Sequence, residues 1–416
     1  MAVTKRQKIV IRLAIVSFII FLGFLGEFIV YRYQTNRSVL FRTDGGRIQI
    51  YREKRWRTFI VKGINFSYAG SAADEEALPK SEYKRWLKQM ADMNANVIRV
   101  KSILPRPFYQ AFLEYNLLAD KPLYLLQGIW TDDDSVQIKD AYDDRLNTEL
   151  FEKIKETVDA VNGNAEIRRS GSAVKYKHNV SRYLMGYFLS GGYDPDFVIT
   201  TNENNTKVMG FEGDYLYSQN ASPYEAWLAA LGNFIISYSN DNYGFRSILL
   251  SWISQPATDP IDHLSMEDLR REAAAGVILD HIYNTEKLNQ GIFLSYIVSP
   301  QNPDFLKFRG EYSRYMDSRG KLNPFEAYLK ALGEFRTMPL VAVEFGGQEE
   351  NERGEAVADA FESIISAGFS GGTVFSWQHD WLRKYREFDQ SDGKTDGIGR
   401  WLADVYASMQ EKYGEH

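Results

Sequence analysis

A closed barrel of eight parallel strands alternating with helices is the fold this sequence predicts, and three observations predict it. Eight short apolar runs alternate with amphipathic helical patterns over about 360 residues, near the size of such a barrel with long loops. No Gly-x-Gly-x-x-Gly follows an early strand and no Walker-type loop is present, so the structural alternative, a doubly wound open sheet, lacks its phosphate fingerprint. The run Pro339-Leu-Val-Ala-Val-Glu-Phe-Gly-Gly347 has the length of a strand buried on both faces and ends in a carboxylate. Gly346 and Gly347 let the chain turn sharply there, which leaves Glu344 on the C-terminal lip, the rim where parallel barrels build their sites.

The elements follow in order. Residues 36–49 read as a short tether and a lead-in strand, and 58–66 as the first strong strand, in which Gly63 permits close approach. Tyr83, Trp86, Leu87, Met90 and Met93 share one face of a helix that starts at Ser81. Residues 96–100 return as a strand, a helix covers about 108–115, and 123–130 form the third strand. Leu150, Phe151, Ile154, Val158 and Val161 mark the next helix, a polar insertion runs to about Lys177, and 183–189 form the fourth strand. Ser222-Pro-Tyr-Glu225 opens a helix with a Ser cap, Pro at the first position and a capping-box Glu. Residues 247–252 and 291–296 are the fifth and sixth strands, and Asn323-Pro-Phe-Glu326 repeats the cap signature before the Glu344 strand. A helix over about 355–366, a strand at 372–377 and a last helix from about Ile398 complete the chain.

Composition narrows the function. The chain is 44% hydrophobic and 14% aromatic over 416 residues, enough for a large core. A net charge of −6 argues against a nucleic-acid partner, which needs a concentrated basic face. With no cysteine, disulfides, thiol catalysis and zinc–thiolate sites are excluded. The five histidines are scattered with no pair at ligand spacing, so no metal or other cofactor is expected.

The N-terminus differs in kind. Between Arg12 and Glu27 there is no charge, and a helix at about 1.5 Å per residue can cross the hydrocarbon with Tyr31 and Tyr33 at the far interface. A cleaved signal peptide is the rival, but no small-x-small site follows Leu25. The reading is one uncleaved anchor: tail and transmembrane helix over 1–35, tether and first strand over 36–57, barrel over 58–416. Lys5, Arg6 and Lys8 flank one side of the span and Arg32, Arg37 and Arg42 the other. A short basic N-terminus before a single span usually stays inside, which places the barrel outside the cytoplasm at the cell membrane.

Several predicted strand ends carry polar or aromatic groups: Asn65, Arg99, Gln127, Trp130, Tyr296, Glu344, Trp377 and Gln378. Indoles beside carboxylates and amides suit a sugar, whose faces stack and whose hydroxyls need paired partners. The set Lys62-Gly-Ile-Asn-Phe66, Asn96-Val-Ile-Arg99, Pro339 to Gly346 and Val374-Phe-Ser-Trp377 resembles glycoside hydrolase clan A, in particular the family 2-type TIM-barrel proteins, over about 59–381. The resemblance implies a TIM barrel that binds oligo- or polysaccharide. It puts Glu344 at the nucleophile position and makes Arg99 the arginine that orients it, with Tyr296 or a neighbour beside them. Trp377 would form the floor of a sugar subsite that Asn65, Trp130, Tyr193 and Gln378 help to line.

The fourth strand departs from that pattern. Asp194-Pro195 sets the register of its exit, and that register puts Gly191 and Gly192 where the family carries Asn and its acid/base Glu. Ile297 and Ser299 stand where relatives have His and Tyr, and Gln378-His-Asp-Trp381 replaces an acidic pair before Trp. Retaining hydrolysis uses a second carboxylate about 5–5.5 Å from the nucleophile, and a glycine transfers no proton. Asn202-Glu203 spells the family dipeptide but follows the strand in what reads as a polar loop, and Asp194 and Asp132 to Asp134 read as loop solvation. Two readings remain. The barrel keeps a sugar cleft and has lost hydrolysis, serving exopolysaccharide or envelope handling beside synthesis or export proteins. Alternatively, it is an active glycosidase or transglycosidase with a relocated acid. A purely structural role leaves Glu344, Arg99 and Trp377 unexplained.

Overall fold

The computed structural model describes residues 17–18, 23, 40–66, 78–129, 138–169, 172–189, 195–244, 248–261, 275–300, 306, 309–334, 337–346 and 354–374. Where a tether and one strand were expected, the chain makes an antiparallel meander of β1 (Phe41–Asp44), β2 (Arg47–Arg52) and β3 (Arg55–Thr58). Gly45 and Gly46 take φ of 53° and 78°, the left-handed pair that a two-residue hairpin turn requires. The second turn puts Glu53 and Lys54 in the same region, at 50° and 64°, without glycine or asparagine. That turn carries no sequence signal, which is why the meander was not foreseen.

Strand and helix then alternate through β4 (Val61–Phe66), α1 (Lys80–Asp92), β5 (Val97–Val100), α2 (Arg106–Leu118), β6 (Tyr124–Ile129) and α3 (Asp144–Val161). A hairpin of β7 (Ala165–Arg169) and β8 (Ser172–Tyr176) precedes β9 (Leu184–Leu189), α4 (Pro195–Asn204), β10 (Leu216–Ser218), α5 (Pro223–Tyr243) and β11 (Leu249–Ser254). The chain continues with β12 (Ile282–Asn284), β13 (Ile292–Ile297), α6 (Gly310–Ser313), α7 (Pro324–Glu334), β14 (Leu340–Phe345), α8 (Gly354–Ser366) and β15 (Gly371–Val374). Strands β4, β5, β6, β9, β11, β13, β14 and β15 pair in parallel in that order and close into a barrel, β15 returning to β4. These are the eight strands that the apolar runs predict.

The helix caps form as the sequence specifies. Ser222 and Glu225 make a reciprocal capping box at α5, and Asn323 Oδ1 accepts from the Glu326 amide at α7. The polar insertion before the fourth strand is the β7–β8 hairpin instead. Its buried Ile167 and Tyr176 alternate with charged residues, and the Tyr176 hydroxyl donates to the Leu104 carbonyl at 3.0 Å.

Two cores result. One fills the space between barrel and helices; the other fills the barrel, where Phe41, Ile48 and Ile50 of the meander pack on Val61, Val97, Tyr124 and Leu249. Those four lie at the starts of their strands, so the meander closes the N-terminal end of the barrel. Among the described residues no helix is long and apolar enough to cross a membrane. The predicted anchor lies outside them apart from Ser17, Phe18 and Gly23, which are helical. The predicted helix from Ile398 lies outside them too.

Candidate functional site

The site is organised by an irregularity in β14. Leu340 and Ala342 face the helices, and Val341 and Val343 face the barrel axis. Strict alternation would then turn Glu344 outward. The register slips on both sides of the strand: Tyr296 pairs with Ala342 but Ile297 with Glu344, and Gly372 pairs with Ala342 but Val374 with Phe345. This bulge returns Phe345 to the outer core, where it stacks on Phe361 of α8 at 5.7 Å, and re-aims Glu344 inward. Gly346 follows with φ 69°, and a Cβ there would meet Val357 at 2.9 Å, so the exit turn needs glycine.

The Val343 carbonyl at the bulge is held by side chains from three other strands. Asn65 Nδ2 donates to it at 2.9 Å, Thr373 Oγ1 at 2.7 Å and Arg99 Nη1 at 3.2 Å. Thr373 can sit there because its register partner is Gly63; a Cβ on Gly63 would come within 2.4 Å of Thr373 Cγ2. Arg99 lies opposite Asn65 in the β4–β5 register and is 1% exposed. Its Nη1 also donates to Asn65 Oδ1 at 2.6 Å and to Glu344 Oε1 at 2.7 Å, and the Phe188 ring lies 4.4 Å from its Cζ. Burial pulls the Arg99 pKa below its ordinary value and the neighbouring Glu344 carboxylate pulls it back up, and an arginine in that balance stays charged.

Glu344 is 11% exposed and has a second cation. Lys101 Nζ stands 3.4 Å from the same Oε1, with 40% of its side chain exposed. Among the described residues Oε2 takes no hydrogen bond, and both cations lie against Oε1. Chemically, such a group can attack an anomeric carbon or stabilise positive charge developing on it. No group of three or more His, Asp or Glu among the described residues could hold a metal.

No protein-family model matches the chain, and no curated protein matches it in sequence. Solved structures match it by fold. An endo-1,4-beta-mannanase from Rhizomucor miehei superposes with TM-score 0.53 at 12% identity, over 89% of this chain and 99% of that one. Saccharomyces cerevisiae Gas2p, in complex with laminaritriose and laminaritetraose, gives 0.51 at 15% identity, over 91% of this chain and 72% of that one. The chain shares its fold with glycoside hydrolases.

Within this glycoside-hydrolase fold, Glu344, Arg99 and Asn65 come together as the strand-end reading places them. Tyr296 does not join them. It is 2% exposed and belongs to the outer core with Tyr328 of α7, while its neighbours Phe293 and Ile297 pack with the inner one. Burial and nearby Asp259 raise its pKa. Gln127 also faces the helices, accepting from the Tyr109 hydroxyl at 2.9 Å. Glu203 is not in a loop: it is exposed on the last turn of α4. Its neighbours are tied outward, Asn202 to the Tyr224 amide of α5 and Asn204 and Asn205 to Asp140 before α3. Trp130, Gly192, Tyr193, Trp377 and Gln378 lie outside the described residues. Lys101, Thr373 and Phe188 were missed. Lys101 had a signal, since it follows Arg99 by two residues and so shares its face of the strand.

Proposed function

We propose that this protein is a membrane-anchored, extracytoplasmic barrel that binds a glycan over Glu344 and hydrolyses it poorly or not at all, in exopolysaccharide or envelope polysaccharide handling. The observation that carries the reading is the Arg99–Glu344 pair at 2.7 Å, held by a bulge that re-aims the carboxylate toward the barrel axis at the C-terminal ends of the strands. A buried ion pair is weak evidence for stability, because desolvation offsets the attraction. Arg99 and Glu344 therefore fit a functional arrangement better than a structural one. Hydrolysis needs a proton donor as well, and Gly191 and Gly192 stand where the resemblance expects one. The relocated-acid reading depends on Glu203, whose exposed place on an outer helix gives it no support.

Oligosaccharides related to those named for the fold neighbours, β-1,4-mannan and laminarin fragments, are the first probes. Titration of the full-length protein is expected to show saturable binding, weakened roughly tenfold by Trp377→Ala, the scale of losing one buried aromatic anchor. Absence of saturable binding across oligosaccharides of several linkages would remove the reading.

The anchored part of the proposal rests on the uncharged stretch 13–26. Because the meander closes the N-terminal end of the barrel, an anchor before Leu40 would attach opposite the lip and leave the lip facing away from the bilayer. Protease added to intact cells should then digest the chain beyond Asn36, and full protection would reverse the topology.

A further inference from the structure

We infer that the outward face of the β1–β3 meander rests on the anionic head groups of the bilayer that holds the anchor. The inference rests on the anchored reading above and adds to it the surface that the barrel turns to the membrane. The meander has two faces of different chemistry. Phe41, Ile48 and Ile50 pack into the barrel, and the residues that alternate with them point away from it. Arg42 lies opposite Gln49 and Tyr51 opposite Trp56 in the register. On that outward face Arg42 Nε donates to Gln49 Oε1 at 2.8 Å, its Cζ lies 4.4 Å from the Trp56 ring centre, and Tyr51 packs on Trp56 at 5.3 Å. Both rings stay half-buried. Tryptophan and tyrosine, each with an apolar body and a polar tip, concentrate at the head-group level of bilayers.

Charge separates the meander from the rest of the chain. Residues 40–58 hold Arg42, Arg47, Arg52, Lys54, Arg55 and Arg57 against only Asp44 and Glu53, in a protein of net charge −6. Both acids are already paired, Asp44 with Arg42 at 3.4 Å and Glu53 with Arg55 and Arg57. Arg47 and Lys54 are exposed and have no counter-charge among the described residues, and Arg47 shares the outward face with Gln49 and Tyr51. An anionic surface repels a negatively charged protein as a whole, so a basic patch selects the end that approaches. Distance points the same way. The predicted anchor ends by residue 35 and β1 begins at Phe41. Residues 36–40 span at most about 18 Å when fully extended, so the meander stays beside the membrane, with its outward face not committed to the barrel.

The chain has no cysteine, so Thr58→Cys puts a single label on the outward face, opposite Gln49. Ser102→Cys puts a control label beyond the C-terminal end of β5. The full-length proteins, each checked for an unchanged melting curve, carry a fluorophore that shifts to the blue on leaving water. They are placed one copy per lipid nanodisc, in phosphatidylcholine alone or with phosphatidylglycerol, at low salt. In the anionic discs the label at position 58 is expected to shift and to be shielded from an aqueous quencher, and in the neutral discs to stay open. The label at 102 should stay in water in both. Arg47→Gln or Lys54→Gln, added to Thr58→Cys, should each lower the ratio of shielded to open label about fivefold, the scale for one basic residue at an anionic surface. Added salt should lower it too. If the full-length protein enters discs of neither lipid, the anchor reading falls and the inference with it. If it enters them and position 58 behaves alike in both lipids, the anchor stands and this inference falls. Shielding that appears only in discs holding two copies would name a second copy of the chain as the occupant of this face and overturn the inference.

Discussion

Replacing Arg99 with methionine is expected to destabilise the fold by about 3–5 kcal/mol, the scale of removing one partner from a buried ion pair. The change leaves Glu344, among the described residues, with the longer Lys101 contact and takes a donor from Asn65 Oδ1 and from the Val343 carbonyl. Methionine is of similar length and leaves no large cavity, so the loss reports on charge and hydrogen bonding. Glu344→Gln should also destabilise, because a guanidinium 1% exposed loses its counter-charge. The double variant should cost less than the sum, with a coupling of roughly 0.5–3 kcal/mol between groups in contact. Urea melts at constant m-value measure all three. An Arg99→Met protein within about 1 kcal/mol of wild type would show that the pair does not hold the bulge.

The second large effect concerns chemistry. Wild-type protein is expected to hydrolyse natural oligosaccharides at or near background, and Gly192→Glu to raise that rate by about 10²–10⁴-fold, the usual contribution of a general acid. Asp194-Pro195 places Gly192 at the acid/base position of the resemblance, and a glycine offers no proton there. Glu344 is anchored through Oε1 by Arg99, so an aryl glycoside whose leaving group departs unprotonated is still expected to form an ester with it. That ester turns over slowly without a base to activate water, and azide should speed its release. Glu344→Gln removes both activities. Robust wild-type turnover of natural oligosaccharides, abolished by Glu203→Gln, would mean that the acid has moved to the end of α4.

Much of the fold was legible because barrel strands are buried on both faces. Such strands read as unbroken apolar runs, and each of the eight ended where a turn or helix signal began. The caps at Ser222 and Asn323 are local chemistry among residues three apart, so they too could be read directly. Glu344 and Arg99 stood out as charges at the ends of apolar strands. The meander was hidden by Glu53 and Lys54, which take left-handed conformations that their side chains do not advertise. The helix that carries Glu203 is hidden in the sequence, because its polar neighbours mask the pattern that Phe197, Val198 and Thr201 bury in α4.

What the sequence by itself determined, then, is the order of the eight barrel strands and that Asn65, Arg99 and Glu344 stand near the C-terminal ends of theirs. Which strand-end residues point into the lip was decided only by tertiary structure. Tyr296 turned to the helices, and a bulge brought Glu344 in against its parity along the strand. The physical reason is that facing depends on register between strands, and register is set by contacts far apart in the chain. The bond from Asn65 to the Val343 carbonyl spans 278 residues, and the pair of Arg99 with Glu344 spans 245. No local pattern encodes such contacts, and they exist only once the barrel has closed.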